Sequence, residues 1–243
     1  QNISSIADFV AARYGKSERV AAIVSLIALI GSVPYIALQL KAISTSVVTV
    51  LQSGDAISAA ANPFDPTFYV ALALAIFAIL FGTRHIDATE HQSGLMLAIA
   101  AESLIKLLAF LAVGIFVTWF VFDGIGDLVA RADEANLLGS FEHAPHADTW
   151  ITLSLLAFCA AFLLPRQFHV TVVENMGERE IKHAGFLVPL YLLAINIFVI
   201  PLALGGMVLF SGSAVSPDTY VLALPMRADS YVFTTIAFVG GLS

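Results

Sequence analysis

The sequence predicts an all-α protein, a polytopic membrane helix bundle with about six transmembrane helices. Two observations predict this class: the chain is 59% hydrophobic and only 12% charged, and its apolar residues are gathered into long runs. Soluble globular domains are closer to about 45–50% apolar and about 25% charged. A soluble chain of 243 residues cannot cover that much apolar surface with polar side chains, so lipid is the expected outer solvent.

Six apolar segments are the predicted membrane helices. A span needs about 20 residues, each rising about 1.5 Å. The segments lack the two-residue alternation of a barrel strand, and a backbone exposed to lipid must satisfy its own hydrogen bonds. The first segment contains Pro34 and is expected to be tilted or kinked. The segments cover residues 20–51, 67–82, 94–122, 149–165, 184–210 and 230–243.

Lysine and arginine are unevenly distributed among the predicted loops. The N-terminal stretch and loops 83–93 and 166–183 hold seven of them, whereas loops 52–66, 123–148 and 211–229 hold two. Positive charge marks the cytoplasmic side, so the first set is predicted to be cytoplasmic. The acidic loop 123–148 includes the stretch DGIGDLVARADEANLLGSF, which has the pattern of a short amphipathic helix forming a solvated external cap.

Polar side chains within the apolar segments are the candidate functional residues. Such groups are costly in lipid and usually face a bundle interior or a water-filled path. In the first segment, four of them share one helix face, which suits either a solute cavity or hydrogen bonds between helices. These four are Ser32, Tyr35, Gln39 and Ser46.

Glu102 and Lys106 lie one turn apart in the third segment, in the order that favours an ion pair. An unpaired charge at this depth would cost several kcal/mol, so we expect the two side chains to pair. The predicted intramembrane ion pair is either structural or part of a proton relay.

The fourth and fifth segments contain polar residues beside prolines. The fourth ends in LLPRQFHVTVVEN, where Pro165 breaks the helical pattern and Gln167 and His169 follow. Transporters use the backbone groups of a broken helix to bind solutes, but an ordinary cytoplasmic helix end has the same pattern. In the fifth segment, Asn196 precedes Pro201, so its amide either satisfies backbone groups that the proline disturbs or reaches a solute.

Sequence motifs of catalysis are absent. The chain has no phosphate-binding loop, dinucleotide fingerprint, zinc-protease motif or nucleophile elbow, and no cysteine and histidine spacing typical of zinc. We therefore expect no cofactor, no metal centre, no nucleic-acid partner and no catalytic residues in this segment.

Four stretches of the chain carry a family resemblance. Two contain specific motifs, GTRHIDATEHQ and PRQFHVTVVEN, and the other two are IADFVAARYGKSERVAAIVSLIALIGSVPYIALQLKA and HAGFLVPLYLLAINIFVIPLALGGM. Together they resemble the sodium/solute symporter family, most closely the symporter-like membrane module of CbrA-type bacterial sensor histidine kinases. The resemblance covers essentially all of residues 1–243 but about half of the family's membrane domain. Because the chain also starts at Gln1 and ends in an apolar run, the resemblance predicts that it is a central fragment of one such domain, without a soluble domain.

The resemblance implies a LeuT-like inverted-repeat fold, with the six segments as the fourth to ninth of thirteen helices. It makes the fourth segment the discontinuous, solute-binding helix, with Gln167, Phe168 and His169 at its break and Phe168 as a candidate gate. Tyr35 and Gln39 would line the same cavity from a neighbouring helix, and Asn196 is a further candidate for contact with the solute.

The last segment departs from the sodium-coupled members of that family. Their corresponding helix supplies side-chain hydroxyls to a sodium ion, whereas Gly240 and Gly241 stand in this register, with Ser243 close by. Sodium is a hard cation that needs oxygen ligands, and glycine offers only its backbone carbonyl. Na⁺ and H⁺ both stay open as coupling ions, but the glycines favour protons, or no transport at all.

The resemblance implies a multi-pass protein of the bacterial inner membrane that senses or imports a small organic solute such as an amino acid. It implies that the parent protein is a two-component sensor histidine kinase, with a response regulator as the partner of a downstream kinase domain. The alternatives are a stand-alone sodium- or proton-coupled solute symporter without a kinase, and a structural membrane domain.

Overall fold

A computed structural model describes residues 5–51, 66–77, 79–80, 93–139, 146–173, 177–213 and 215–242. Within these ranges the chain is helical and has no strand, which confirms the predicted all-α class. A π-helical turn, Val117–Val121, extends α4, and a second one, His169–Val173, extends α7. The helices are α1 Ile6–Arg13, α2 Glu18–Leu51, α3 Pro66–Phe77, α4 Ser93–Phe116, α5 Ile125–Glu134, α6 Ala147–Leu163, α7 Pro165–Phe168, α8 Glu178–Asn196, α9 Val199–Leu209, α10 Tyr220–Arg227 and α11 Tyr231–Leu242.

Each of the six apolar segments forms helix where the structure describes it, and among the described residues three helical stretches are long and apolar enough to cross a membrane. The sequence predicts about six crossings. The fourth segment falls short because its helix is interrupted before Pro165, and the described helices of the second and sixth are each 12 residues long. The three long stretches are Glu18–Val50, Met96–Val121 and Arg179–Leu209.

Helix α2 runs without interruption through Pro34. In its most apolar window of 18 residues, none of the residues is buried, and Ile27, Leu29 and Leu38 each expose about two thirds of their surface. An apolar surface of this extent is stable in lipid and would be a strong aggregation site in water.

Two helical stretches are interrupted, one directly before Pro165 and one a few residues before Pro201. Helix α6 ends at Leu163, Leu164 is extended, and α7 begins at Pro165, which confirms the predicted break. Proline is well suited to the first position of a helix because its missing N–H would have no partner there. The chain continues as helix to Val173, so the beginning of the predicted loop 166–183 is helical. Likewise, α8 ends at Asn196 and α9 begins at Val199, with Pro201 in its first turn.

The chain divides into two compact units. Unit one comprises Gln1–Gln39, Ile76–Ser93 and Ala144–Phe186. In it, the side chain of Phe9 on α1 contacts that of Phe168 on α7, with ring centroids 5.5 Å apart. Ala7 and Ala11 are buried on the same short helix. These contacts hold α1 within unit one.

Unit two comprises Leu40–Ala75, Gly94–His143 and Leu187–Ser243. It contains the apolar core of the described structure, to which α4, α5, α9, α10 and α11 contribute. The core residues are Val113, Val117, Phe122, Leu128, Ala132, Phe198, Leu202, Leu204, Leu222, Leu224 and Ala237.

Helix α5 is the short amphipathic helix predicted in loop 123–148, and the structure confirms it. It is more than a solvated cap, because Leu128 and Ala132 are buried in the core of unit two. On its outer face, Arg131 lies 2.9 Å from Asp127, and its guanidinium lies 5.5 Å from the ring centroid of Phe122. The hydrogen bond from Arg131 holds the pKa of Asp127 below its ordinary value.

Helix α10 lies inside the predicted loop 211–229 and is also buried. Four consecutive residues, 222–225, are shielded from solvent, and Leu224 is completely so. The ring of Tyr220 lies directly against Gly206 on α9, where a side chain would collide with it. This segment of the predicted external loop therefore belongs to the packed core.

Candidate functional site

The predicted site residues are distributed over both units. Tyr35, Gln39, Gln167, Phe168 and His169 belong to unit one. Unit two holds Glu102, Lys106, Asn196, Gly240 and Gly241. Ser243 and the GTRHIDATEHQ motif lie outside the described residues.

In unit one, Phe168 is the buried member of the predicted set. It exposes 7% of its surface and packs against Phe9, so this candidate gate is held by an aromatic contact with α1. The backbone carbonyl of Gln167 accepts a hydrogen bond of 2.6 Å from the Thr171 hydroxyl, and the Gln167 side chain is exposed. Tyr35 and Gln39 are also exposed. These exposed polar groups are accessible to a ligand, whereas the ring of Phe168 is held by its packing against Phe9.

Asn196 lies at the end of α8, where the helix is broken. Its side-chain amide donates a hydrogen bond of 2.7 Å to the carbonyl of Leu192, one turn earlier in the same helix. The amide therefore stabilises the last turn of α8. The carbonyl that Pro201 would leave without a partner belongs to Ile197, so this hydrogen bond is made to a different backbone group.

The predicted ion pair is present. The ammonium of Lys106 donates to Glu102 Oε1 at 2.9 Å, and the two side chains remain 41% and 38% exposed, respectively. The pair is therefore not sealed in the core. Near it, the Tyr191 hydroxyl lies 3.4 Å from the carbonyl of Ser103 and so connects α8 to α4.

Lys106 lines a cavity of about 310 Å³ that lies within unit two. Helices α2, α4, α8, α10 and α11 contribute to its wall. The wall is mainly apolar and includes two glycines of α11, two hydroxyl groups, one lysine and one aspartate. The lining residues are Ser46, Lys106, Ala109, Phe110, Ile195, Asp218, Thr219, Val221, Leu222, Ala237, Phe238, Gly240 and Gly241.

The two glycines of α11 differ in their surroundings. A Cβ atom on Gly240 would lie 2.5 Å from that of Ala109 on α4, whereas nothing lies within 4 Å of one on Gly241. Small residues allow membrane helices to approach closely, so Gly240 has a packing role. A hydroxyl-bearing side chain does not fit at position 240, so this position cannot supply a side-chain oxygen to a sodium ion.

Two polar lining residues were missed by the sequence analysis. Asp218 and Thr219 lie in a 3₁₀ turn, Pro217–Thr219, that leads into α10. A serine followed by Pro-Asp-Thr is a recognisable helix start, and it would have indicated a helix in the segment assigned to a loop. The sequence offers no comparable signal that these residues lie beside Lys106, because they are more than 100 positions away from it.

Together, the lining residues form an apolar chamber with one ammonium group and one carboxylate, the chemistry of a site for a small polar organic molecule. Within the described part of the chain, no group of three or more histidine, cysteine, aspartate or glutamate side chains is placed to hold a metal ion. Comparison of the chain with protein-family models, with curated proteins and with solved structures found no match.

Proposed function

We propose that the chain is a symporter-like transmembrane module of a bacterial two-component sensor histidine kinase, which senses or imports a small organic solute such as an amino acid. The observation that carries the solute-binding part is the cavity of unit two. Its volume of about 310 Å³ is at the lower end of the usual range for ligand sites, about 300–1,000 Å³. A mainly apolar wall with a small number of polar groups is typical of a site that orients a small molecule.

The family resemblance is the basis for proposing the LeuT-like arrangement, the inner-membrane location and the kinase. The apolar segments and the loop charges are the basis for proposing about six crossings and their orientation. Three apolar helices of membrane-spanning length support the membrane part. The two helix breaks support it as well, because discontinuous helices are common at the solute sites of transporters. A solute that binds one state more tightly than the other shifts the population between states, and this shift is the signal passed to the kinase.

The packing at Gly240 favours a module that does not depend on sodium. A sodium site needs oxygen ligands, and Ala109 occupies the space that a hydroxyl-bearing side chain would need at this position. We therefore propose coupling to protons, or sensing without transport.

The test is solute-dependent phosphorylation of the full-length gene product in proteoliposomes. We expect the gene to encode a histidine-phosphoacceptor helix pair and an ATP-binding domain beyond Ser243, and an amino-acid mixture to change autophosphorylation severalfold. A coding sequence that ends soon after the last membrane helix would refute the kinase and leave the stand-alone symporter. Solute uptake that strictly requires a sodium gradient would contradict the proposed coupling.

The residues of unit one that the resemblance implicates are tested separately. If Gln167 and Tyr35 contact the solute, then Gln167→Ala and Tyr35→Ala weaken its binding about tenfold while the amount of folded protein stays normal. Unchanged affinity in both variants would remove them from the site.

A further inference from the structure

The cavity of unit two is a separate candidate site from the residues that the resemblance implicates in unit one. None of Gln167, Phe168 and His169 lines it. The chemistry of its lining residues is specific enough to define a class of ligand. The inference deepens the proposed function, since it rests on the chain binding a small solute.

The ammonium of Lys106 is the cationic group of the cavity. An ammonium has three N–H donors, and the hydrogen bond to Glu102 uses one of them. Because the Lys106 side chain is 41% exposed, the ammonium can also donate to a ligand. A carboxylate is the acceptor that gains most from an ammonium, since hydrogen bonds between charged groups are about twice as strong as neutral ones.

The other polar lining groups are acceptors. The Ser46 hydroxyl donates to the carbonyl of Ala42 at 3.0 Å, and the Thr219 hydroxyl donates to that of Ser216 at 2.7 Å. Each hydroxyl has one hydrogen, so what it offers a ligand is the lone pairs of its oxygen. The Asp218 carboxylate offers only acceptors as well. This part of the wall recognises N–H donors, and Asp218 favours donors that carry positive charge.

The balance of charges decides between three kinds of ligand. Among the described residues at the cavity wall and directly beside it, Glu102 and Asp218 are negative and Lys106 is positive, so a ligand that is only an anion meets a net negative charge there. A ligand that is only a cation can bind Asp218 but offers no acceptor to Lys106. A zwitterion satisfies both ends, and its apolar body can lie against Phe110 and Phe238.

We propose that the cavity of unit two binds a zwitterionic solute with a short apolar body, with the size and chemistry of a small aliphatic amino acid. Its carboxylate binds the ammonium of Lys106. Its ammonium binds Asp218, with the hydroxyl oxygens of Ser46 and Thr219 as further acceptors. Glu102 holds the lysine side chain at the cavity wall and is a positioning residue.

The experiment measures equilibrium binding of radiolabelled leucine to the full chain in lipid nanodiscs, with two competitors of similar shape. One competitor, 4-methylpentanoate, lacks the amino group, and the other, 3-methylbutylamine, lacks the carboxylate. We expect each to compete at least about tenfold more weakly than leucine, because each loses one charged hydrogen-bonding group. Equal competition by all three compounds would overturn the proposal. So would the absence of saturable binding by glycine, alanine, valine and leucine up to about 10 mM.

Three variants assign the two ends of the solute. Glu102→Gln keeps the ammonium of Lys106 and an oxygen that can accept from it, so this variant should weaken leucine binding less than the double variant does. The double variant Glu102→Gln/Lys106→Gln removes both charges of the pair, so no charge is left unpaired, and it should weaken leucine about tenfold without affecting 3-methylbutylamine. Asp218→Asn should weaken leucine and 3-methylbutylamine but not 4-methylpentanoate. Unchanged leucine affinity in the double variant and in Asp218→Asn overturns the proposal.

The outcome is separable from that of the proposed function. If leucine binds with the expected effects of the competitors and variants, but solutes do not change phosphorylation of the full-length protein, then the sensor function is refuted and the binding site stands. If solutes change phosphorylation equally in the original protein, in the double variant and in Asp218→Asn, then the sensor function stands and the proposed binding site in unit two is refuted.

Discussion

At the scale of single residues, Glu102 and Lys106 form an ion pair within one helix, and the proposed solute site assigns a second role to the lysine. In an apolar environment either charge alone would be costly, so the contact between the two side chains offsets part of that cost. Both side chains are partly exposed, and Lys106 is one of the residues that line the cavity. The spacing of four residues was sufficient to predict the pair, because neighbours at this distance meet on any α-helix.

Gly240 is the residue whose replacement should reveal the close approach of α4 and α11. A methyl group at this position would overlap that of Ala109, so we expect Gly240→Ala to destabilise the protein by about 1–3 kcal/mol. Gly241→Ala is the matched control. It meets nothing within 4 Å and gains helix propensity, so its effect should be neutral or stabilising. Melting temperatures of the two variants in detergent give the comparison, and equal values would contradict the packing argument.

Asp127 should make the stability of the protein depend on pH in the acid range. Its pKa is lowered by the hydrogen bond from Arg131, so the unfolded chain takes up the proton more readily. The contribution of the pair is complete above the ordinary aspartate pKa and is lost as the pH falls through the lowered one. Asp127→Asn should therefore lower the melting temperature at neutral pH, and the difference from the original protein should shrink below about pH 4. An equal difference between the two proteins at neutral and at acid pH would contradict this prediction.

At the scale of elements, the segments between the apolar runs take part in the core. Helix α5 contributes Leu128 and Ala132, and α10 contributes Leu222 and Leu224. The amphipathic pattern was sufficient to predict α5. Helix α10 was missed because a short apolar stretch of eight residues, with a proline inside, has neither the length nor the period of a typical helix.

Replacing Leu128 tests whether α5 is part of the core. Its side chain is 1% exposed, so we expect Leu128→Ala to cost about 2–5 kcal/mol in unfolding free energy. The neighbouring Val129 is 39% exposed, and Val129→Ala should cost less than about 1 kcal/mol. Chemical denaturation in the same detergent measures both. Similar costs for the two variants would show that α5 is only loosely attached.

At the scale of the whole molecule, the exposed apolar surface of α2 indicates that lipid surrounds this helix. The number of crossings depends on what the shorter helices do: Phe68–Phe77, Ala147–Ala160 and Tyr231–Gly241 are apolar but below the length of a span. Loop charge predicts an orientation that can be tested independently of any solute.

Cysteine labelling in intact cells tests that orientation. In a Cys159→Ser background, we expect a membrane-impermeant maleimide to label Glu134→Cys and Ser213→Cys directly. Lys16→Cys and Lys182→Cys should react only after the membrane is permeabilised, since the positively charged segments are predicted to be cytoplasmic. All four positions are exposed, so burial does not explain a missing reaction. The reverse pattern would invert the topology, and labelling of all four in intact cells would refute it.

The sequence alone determined the properties that depend on neighbours along the chain. These are the helical class, the amphipathic helix α5, the break at Pro165 and the Glu102–Lys106 pair, since each follows from a period or spacing of a few residues. Only the tertiary structure decided which polar groups share a cavity. Ser46, Lys106, Asp218 and Gly241 meet because five helices pack around one space, and such contacts between distant residues depend on the packing of the whole unit.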